Sequence, residues 1–404
     1  MVTLRLVKAL RAMKIDARLL VAEKLGNDPF VHKLKPVWLT KAMFLLERLR
    51  IFTHNGFSRR LLFRTDCGSY GLPLWRHAQV RKADVVVLNW VNQGLLSLGG
   101  IKKIGATGKP LVWTMHDLWS MTGICHVPGN CRGYSDLCGD CPQLGAGAAP
   151  HDLSWKTWRR KRLLYDSTPI HFVAVSGYVR QRALAGELLA NEDIDVIPNG
   201  LPVDAELPPR EKRENGGTLE IVMGAARLDD PVKGLPVLYA AMSALRRLDR
   251  DLWRRTRLTT YGTLRDPHAL DGIDANHRHL GYIHGEEELR KVFDNADIVL
   301  STSRFETFGA TLAEGMARGC IPVATDRGGQ SDIIEHRQNG WLAPYSGEAA
   351  TQGKSIAEGI IWAASRTGAD MRETCRRHAA DNFSDTAVAR RYAALFNRLL
   401  RQKH

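Results

Sequence analysis

Two series of apolar, strand-like segments, each alternating with helical patterns, constrain this chain more than any other feature. The segments are residues 83–90, 109–117 and 169–176 in the first series, and 218–227, 257–262, 296–303 and 320–329 in the second. Their apolar residues do not alternate with polar ones, which is typical of parallel strands buried on both faces. A polar stretch, PPREKRENGG at 208–217, separates the two series and predicts a linker. The pattern therefore predicts an α/β protein with two doubly wound, Rossmann-like domains facing a cleft.

The domain boundaries follow from the same pattern. We expect an N-terminal domain over residues 1–200, a C-terminal domain over 201–382, and a last helix over 383–404 that returns to the N-terminal domain. The 404 residues give each domain enough chain for its own core. Ligands of such sheets bind at the carboxyl ends of the strands, so we expect the site between the domains.

The net charge of +14 favours acidic partners, such as nucleic acid, an anionic membrane face or phosphate-rich substrates. Residues 30–64 hold eight Lys or Arg and one acid, Glu47. The net charge of this segment is therefore half of the net charge of the whole chain. The apolar residues of this region recur at helical spacing; they are Trp38, Ala42, Leu45, Leu49 and Phe52. This helix lies either on an anionic membrane that presents a lipid-linked acceptor, or packed on the first domain.

No apolar run in the chain reaches the length that a membrane span needs. The N-terminus also lacks the charged-then-apolar pattern of a secretory signal. We therefore expect a cytoplasmic protein, with peripheral contact at the inner face of the plasma membrane as the further expectation from residues 30–64.

The stretch RFETFGATLAEG, residues 304–315, combines two carboxylates with a backbone rich in small residues. We expect a strand to end before it and a helix to run from about residue 308 to 318. The first-turn N–H groups of that helix form an anion site, which Gly309 lets a phosphate approach. Glu306 would lie at its mouth, and Glu314 two turns deeper could hold a ribose. The alternative is that Glu314 is a solvated helix residue and the small residues only allow close packing.

A second cationic motif, GAARLDDPVKG at residues 224–234, follows the end of a predicted strand. It places Arg227 and Lys233 on either side of a polar turn. Two cations at a strand end suit a diphosphate. The alternative for such a pair is two ordinary surface cations.

Together these two motifs, with GCIPVATDRGG and VIPNGL, resemble the retaining glycosyltransferases of family 4, which have the GT-B fold. The resemblance covers nearly the whole chain. The segment WTMHDLWSMTGICHVPGNCRGYSDLCGDCPQLG is similar to the bacterial exopolysaccharide and colanic-acid-type branch. The resemblance implies a hexosyltransferase that moves a sugar from a nucleotide-sugar donor onto a glycan, with retention of anomeric configuration. That glycan would be a growing, lipid-linked exopolysaccharide or a cell-surface glycan.

The resemblance also implies roles for individual residues. Glu306 would face the donor sugar, and His116 would line the reaction centre. Arg227 and Lys233 would bind the donor's diphosphate, and Glu314 would bind its ribose. The turn that supports the sugar and phosphates would consist of Phe308, Gly309, Ala310 and Thr311. Two cations that stabilise the leaving diphosphate would make a catalytic metal unnecessary. Asp117, beside His116, would shape the loop.

Four of the seven cysteines fall in a single loop over residues 125–141; they are Cys125, Cys131, Cys138 and Cys141. Four thiolates can close a tetrahedral zinc site, and a closed site is structural. His126 could replace one ligand, and free or loosely paired thiols are the alternative to zinc. We expect the loop to shape the acceptor side and to do no chemistry.

The sequence departs from the family pattern in two places. Family members normally open with a strand and a Gly-rich loop, whereas this chain begins inside a helix, so we expect poor folding or low turnover from the chain as written. Asn89 stands where this branch often has His.

Two competing functions follow, a non-catalytic remnant and a basic, zinc-containing nucleic-acid binder. The cations are spread over helices and no nucleic-acid motif accompanies the cysteines, which argues against a nucleic-acid partner.

Overall fold

The computed structural model describes residues 2–59, 61–207 and 217–402. The chain divides into two compact units. Unit 1 contains Met1–Ile197 together with Ala389–His404, and unit 2 contains Pro198–Val388. The linker predicted over 208–217 lies outside the described residues, apart from Gly217.

Unit 1 is built on parallel strands. A two-stranded sheet pairs β1 (Leu19–Val21) with β2 (Val31–Lys33). A four-stranded parallel sheet has the order β3 (Val86–Asn89), β4 (Leu111–Met115), β5 (His171–Ala174) and β6 (Ile194–Val196). Its helices are α1 (Val2–Ala12), α2 (Val37–His54), α3 (Ala78–Lys82), α4 (Leu98–Gly105), α5 (Leu153–Ser167) and α6 (Gly177–Leu184). All five residues of β4 are buried, as expected for a central strand covered on both faces.

Side-chain caps and aromatic packing stabilise unit 1. Four of its helices start at residues whose side chains accept first-turn N–H groups, namely His77 for α3, Ser97 for α4, Asp152 for α5 and Ser176 for α6. The ring of Trp113 on β4 packs against three other rings at centroid distances of 5.7, 6.3 and 6.0 Å, those of Trp119, Tyr165 and Phe172. The core therefore lies around β4, at the centre of the sheet.

Unit 2 contains a six-stranded parallel sheet in the order β12-β11-β10-β7-β8-β9. The strands are β7 (Leu219–Arg227), β8 (Thr256–Thr263), β9 (Asn276–His279), β10 (Ile298–Ser301), β11 (Ile321–Asp326) and β12 (Trp341–Pro344). The helices are α7 (Leu235–Leu248), α8 (Arg250–Arg255), α9 (Glu286–Asp294), α10 (Ala310–Ala317), α11 (Ala349–Ala364) and α12 (Ala369–Phe383). Strand order reverses between β7 and β10, and such switch points are where doubly wound sheets bind ligands.

The last helix, α13 (Asp385–Arg401), starts in unit 2 and ends in unit 1. Within unit 1, the hydroxyl of Tyr392 on α13 hydrogen-bonds the Thr114 hydroxyl of β4 at 2.9 Å. Arg398 of the same helix pairs with Asp195 on β6. These contacts anchor the end of the chain to the sheet of unit 1.

The described helices include none that is both long and apolar enough to cross a bilayer. The helix predicted over about 308–318 is α10, and it is shorter at both ends than predicted. Gly309, with a φ of 99°, precedes it, and Gly319, with a φ of 80°, follows its cap residue. Left-handed glycines end a helix because they leave the right-handed region.

Candidate active site

Lys233 and Glu306 meet at the switch point of unit 2. The Lys233 ammonium contacts the Glu306 carboxylate at 2.6 Å, and both side chains are about three-quarters buried. Lys233 follows β7 and Glu306 follows β10, and these strands are neighbours in the sheet. Two further hydrogen bonds join the loops, from Arg304 N to Val232 O at 2.7 Å and from the Thr302 hydroxyl to Lys233 O at 2.8 Å. The sheet order thus builds a cation–carboxylate pair from residues 73 positions apart.

Arg227, the last residue of β7, lies at the same edge of the sheet but is held by carboxylates. It pairs with Asp230, and its Nε is 3.5 Å from Asp229 Oδ1. Burial acts to raise the pKa of Asp229, but the N–H groups of Asp266 and Arg265 and the charge of Arg227 together lower it. The sequence prediction considered the two cations of this loop and did not consider these two acids.

The backbone of Glu306 is held by a close approach that only glycine permits. A Cβ on Gly328, whose φ is 97°, would lie 2.2 Å from Glu306 O. The next residue, Gly329, donates its N–H to that same oxygen at 2.9 Å. The Gly-Gly pair after β11 therefore fixes the turn that carries Glu306.

The other predicted donor-binding residues have mixed environments. The Phe308 side chain is buried and packs edge-on against Phe383, with ring centroids 5.6 Å apart, so it stabilises the core of unit 2. Gly309 adopts the left-handed conformation at the start of α10, and Ala310 is exposed in its first turn. Since the first N–H groups of a helix lack partners inside it, this end of α10 suits an anion.

Tyr261 of β8 is a site residue that sequence reasoning missed. Burial and the charge of Glu314 raise the pKa of its hydroxyl, against a hydrogen bond with Thr311. Tyr261 therefore lies close to two of the three predicted site residues of α10, Thr311 and Glu314. Gly224 on β7 leaves the space that the Tyr261 ring occupies, because a Cβ there would lie 2.0 Å from that ring. The tyrosine near the end of its strand and the glycine in GAAR are weak signals separately, and only the β7–β8 pairing joins them.

His116 lies in unit 1, directly after β4. Asn89 is the last residue of the neighbouring strand β3. The distance between His116 Nε2 and Asn89 Oδ1 is 2.8 Å, which is a hydrogen bond. Asn89, which departs from the family pattern, therefore contacts the predicted reaction-centre histidine. A reaction centre formed jointly by His116 and Glu306 stays a prediction.

Asp117 belongs to a chain of ionisable groups, buried at one end and partly buried at the other, that sequence reasoning largely missed. It contacts His126 Nδ1 at 2.6 Å, and His126 Nε2 lies 3.2 Å from Asp66. Arg48 of α2 completes the chain with a contact of 2.6 Å to Asp66. Burial acts to lower the pKa of His126, but its hydrogen bonds with Asp117 and Asp66 prevail and raise it to about 9. The chain joins α2 to the carboxyl edge of the sheet.

The four clustered cysteines line one small cavity in unit 1, and none of them forms a disulfide. Backbone N–H groups approach two of their sulfurs, Gly123 to Cys138 at 3.3 Å and Gly133 to Cys131 at 3.4 Å. Within the described ranges, however, no group of three or more His, Cys, Asp or Glu is placed so that it could hold a metal ion. The thiols share a cavity but do not form a ligand set, so zinc stays a prediction.

Two family models match the chain. The model described as Glycosyltransferase Family 4 matches residues 1–205, and the model described as Glycosyl transferases group 1 matches residues 220–361. The chain belongs to glycosyltransferase family 4. It is therefore a glycosyltransferase, as the sequence motifs predicted.

A similar curated protein of Escherichia coli strain K12 is provisionally named the colanic acid biosynthesis glycosyl transferase WcaC. It is 26% identical over 326 residues, which are 78% of this chain and 75% of that protein. This likeness agrees with the colanic-acid-type branch that the cysteine segment indicated.

Solved structures of glycosyltransferases share the fold of this family 4 chain. A glycosyltransferase from Rickettsia africae ESF-5 has a TM-score of 0.61 at 17% identity and covers 99% of this chain and 94% of its own. Anabaena Alr3699/HepE in complex with UDP has a TM-score of 0.53 at 16% identity, covering 79% and 80%. The prediction of an α/β protein of the GT-B fold is confirmed.

Proposed function

We propose that this glycosyltransferase moves a sugar from a nucleotide-sugar donor to a hydroxyl of a growing glycan, with retention of anomeric configuration. The observation that carries the proposal is the Lys233–Glu306 pair at the β7/β10 switch point, beside the N-terminus of α10. A buried cation beside helix N–H groups suits a diphosphate, and a carboxylate at the same position suits the sugar attached to it.

The chemistry follows from where charge develops. Breaking the bond between sugar and diphosphate gives an oxocarbenium-like sugar and a diphosphate that gains negative charge. Lys233, Arg227 and the first N–H groups of α10 would stabilise that diphosphate. Each of these two cations pairs with a carboxylate of unit 2, Arg227 with Asp230 and Lys233 with Glu306. Donor binding would therefore replace a carboxylate by a phosphate at Lys233 and leave Glu306 to face the sugar.

The comparisons support the proposed donor class. Similar solved structures include complexes of Anabaena HepE with UDP and with UDP-glucose. They also include the pneumococcal O-GlcNAc transferase GtfA in complex with UDP and GlcNAc. The likeness to WcaC supports a cell-surface polysaccharide as the acceptor class.

Turnover of defined donors tests the proposal. The purified chain is incubated with UDP-sugars and GDP-sugars and with glycan acceptors, and release of nucleoside diphosphate is measured. We expect release with at least one donor, and an α-linked product from an α-linked donor by NMR. Preference for a single-stranded oligonucleotide over every nucleotide sugar at moderate salt would contradict the proposal. Binding of a nucleotide sugar without any turnover would indicate the catalytically impaired alternative.

We also propose that α2 docks on an anionic membrane that presents a lipid-linked acceptor. Three of the five apolar side chains predicted to share a face are exposed: Trp38 is 69% exposed, Leu45 62% and Leu49 56%, whereas Ala42 and Phe52 are half-buried. The buried residues of the helix are instead Glu47, Arg48 and Ile51. A helix that buries its acid and exposes its tryptophan together with Leu45 and Leu49 suits a lipid surface better than water.

The charge around this face supports an anionic partner. Five cations among the described residues of 30–64 are exposed, namely Lys33, Lys35, Lys41, Arg59 and Arg64. The one acid in residues 30–64, Glu47, is fully buried and occupied by backbone N–H groups. The exposed surface of this segment therefore combines apolar side chains with positive charge only, which anionic headgroups would complement.

Sedimentation with vesicles checks this docking. We expect the chain to bind phosphatidylglycerol-containing vesicles in preference to pure phosphatidylcholine vesicles. Changing Trp38, Leu45 and Leu49 together to Ser should lower binding by at least about tenfold, because three large apolar side chains no longer enter the lipid. A matched control is Leu163→Ser, on the exposed surface of α5. Equal binding by the triple variant, or a dimer that the triple variant abolishes, would contradict the lipid assignment.

The cysteine loop is proposed to hold one structural zinc ion through Cys125, Cys131, Cys138 and Cys141, with free thiols as the alternative. The shared cavity supports zinc, whereas the positions of the thiols do not form a ligand set. Elemental analysis of the chain purified without added metal should find about one zinc per chain. A metal-free, fully active preparation would favour free thiols.

A further inference from the structure

Trp90 directly follows β3 at the carboxyl edge of the unit 1 sheet. It is 45% exposed, and its φ of 44° lies in the left-handed region that bulky side chains rarely adopt. Such backbone strain persists only where the surroundings over-determine it, and it clusters at ligand-binding sites. A strained, exposed tryptophan at the ligand-binding edge of a parallel sheet therefore needs a functional explanation.

Contacts with Asp117 and His126 fix the orientation of the Trp90 indole. Its N–H donates to Asp117 Oδ2 at 3.1 Å, and its ring lies 6.1 Å from the His126 ring. Asp117 is itself fixed in position, because its other oxygen, Oδ1, accepts the backbone N–H of Trp119 at 2.9 Å. The polar edge of the indole is thus occupied, and its exposed part is an apolar π surface.

The loop that carries Trp90 is pinned from the other side as well. The Gln93 N–H donates to Asp66 Oδ1 at 3.1 Å, and Asp66 is paired with the buried Arg48. Gln93 also has a positive φ, of 55°. Two carboxylates, the buried Asp66 and the partly buried Asp117, therefore hold a strained loop of four residues in one conformation. This is the arrangement expected of a preorganised binding surface.

Trp90 also lies next to the predicted reaction centre. The residue before it, Asn89, hydrogen-bonds His116. The residues predicted to hold the donor, Lys233 and Glu306 among them, all belong to unit 2, whereas Trp90 and His116 belong to unit 1. Since the donor is assigned to unit 2, the substrate expected at the carboxyl edge of the unit 1 sheet is the acceptor.

We propose that Trp90 is a stacking platform for a pyranose ring of the acceptor glycan. The inference rests on the proposed glycosyltransfer and adds a residue that selects the acceptor. One face of a pyranose presents C–H hydrogens of weak positive charge, which match the negative face of an aromatic ring. With its N–H already engaged, the indole contributes this contact and no further hydrogen bond. Trp90 would set the position of the acceptor ring and take no part in bond breaking.

The test separates acceptor binding from donor chemistry. Trp90→Leu keeps an apolar side chain without a π surface, and Trp90→Phe keeps a smaller one. The matched control is Trp253→Leu on α8 of unit 2, a tryptophan whose indole N–H is also engaged, by Asp274 O at 2.7 Å. Methyl α- and β-glycosides of glucose, galactose, mannose and fucose are the acceptor probes. Their binding is followed by saturation-transfer NMR, and their use as acceptors by kinetics.

We expect Trp90→Leu to weaken binding of the preferred glycoside and raise its KM by about tenfold, with partial recovery in Trp90→Phe. Donor hydrolysis and donor KM should match the wild type, because the residues predicted to hold the donor belong to unit 2. Thermal unfolding should also match, because the Trp90 ring is exposed. Trp253→Leu should leave acceptor binding, acceptor KM, donor KM and donor hydrolysis unchanged.

Three results would overturn the platform. They are an unchanged acceptor KM and binding in Trp90→Leu, a large loss of thermal stability in that variant, and no binding of any glycoside by the wild type at millimolar concentrations. Failure of the proposed function has a different signature, since no nucleotide sugar would then be hydrolysed. The NMR binding measurement needs no turnover, so it still decides on the platform in that case.

Discussion

Lys233→Ala is expected to lower sugar transfer by about a hundredfold or more, with the chain still folded. Lys233 is held between β7 and β10, where the donor diphosphate would gain charge as the glycosidic bond breaks. Alanine removes that charge and leaves Glu306 without its partner at 2.6 Å. Glu306→Gln should lower sugar transfer by a similar factor, because the amide keeps the shape of the side chain but not the charge that faces the sugar.

The measurement is kcat/KM with a saturating acceptor, beside thermal unfolding of each variant. Lys291→Ala is the matched control, since Lys291 also pairs with a carboxylate, Glu288 at 2.8 Å, but on the exposed surface of α9. It should keep wild-type activity, because surface ion pairs contribute little. Near-normal turnover by a folded Lys233 or Glu306 variant would remove the role assigned to that residue.

Glu47→Ala is expected to cost unit 1 on the order of 3 kcal/mol of stability or more. The Glu47 carboxylate is fully buried and accepts four consecutive backbone N–H groups. The donors are Cys67 and Gly68 to Oε1 at 2.8 and 2.7 Å, and Ser69 and Tyr70 to Oε2 at 3.0 and 3.1 Å. Alanine would leave these donors buried without a partner, which is costly for each of them. The loop of residues 67–70 would lose its attachment to α2.

Hydrogen exchange of residues 67–70 and thermal unfolding check this prediction. Exchange localises the effect, which matters because two compact units need not unfold in one step. Leu45→Ala, on the exposed face of the same helix, is the control and should change stability by about 0.5 kcal/mol at most. Equal stability and exchange in the two variants would show that the buried carboxylate does not hold the loop.

The sequence patterns predicted regular elements well. The strand predicted over 218–227 is β7 with one residue less, and the helix predicted over about 308–318 is α10, Ala310–Ala317. These elements are local, because the period of apolar residues and the caps that end them lie within a few positions. The family and the GT-B fold were likewise predicted correctly, since the motifs that indicate them are short and contiguous.

Side-chain environments were harder to predict than elements. The spacing of Trp38, Leu45 and Leu49 left two orientations of α2 open, because periodicity identifies a face but not what covers it. The structure exposes that face and buries Glu47. The reason is long-range: the acceptor for four N–H groups of residues 67–70 comes from a helix about 20 positions earlier.

The sequence by itself determined that the chain forms two β/α series, and which short motifs lie at the ends of their strands. Only the tertiary structure decided which strand ends are neighbours. The pairing of β7 with β10 creates the Lys233–Glu306 contact, and the pairing of β3 with β4 places Trp90 beside Asp117. Strand order depends on how helices cover both faces of a sheet, which is a property of the whole packed unit and not of any local pattern.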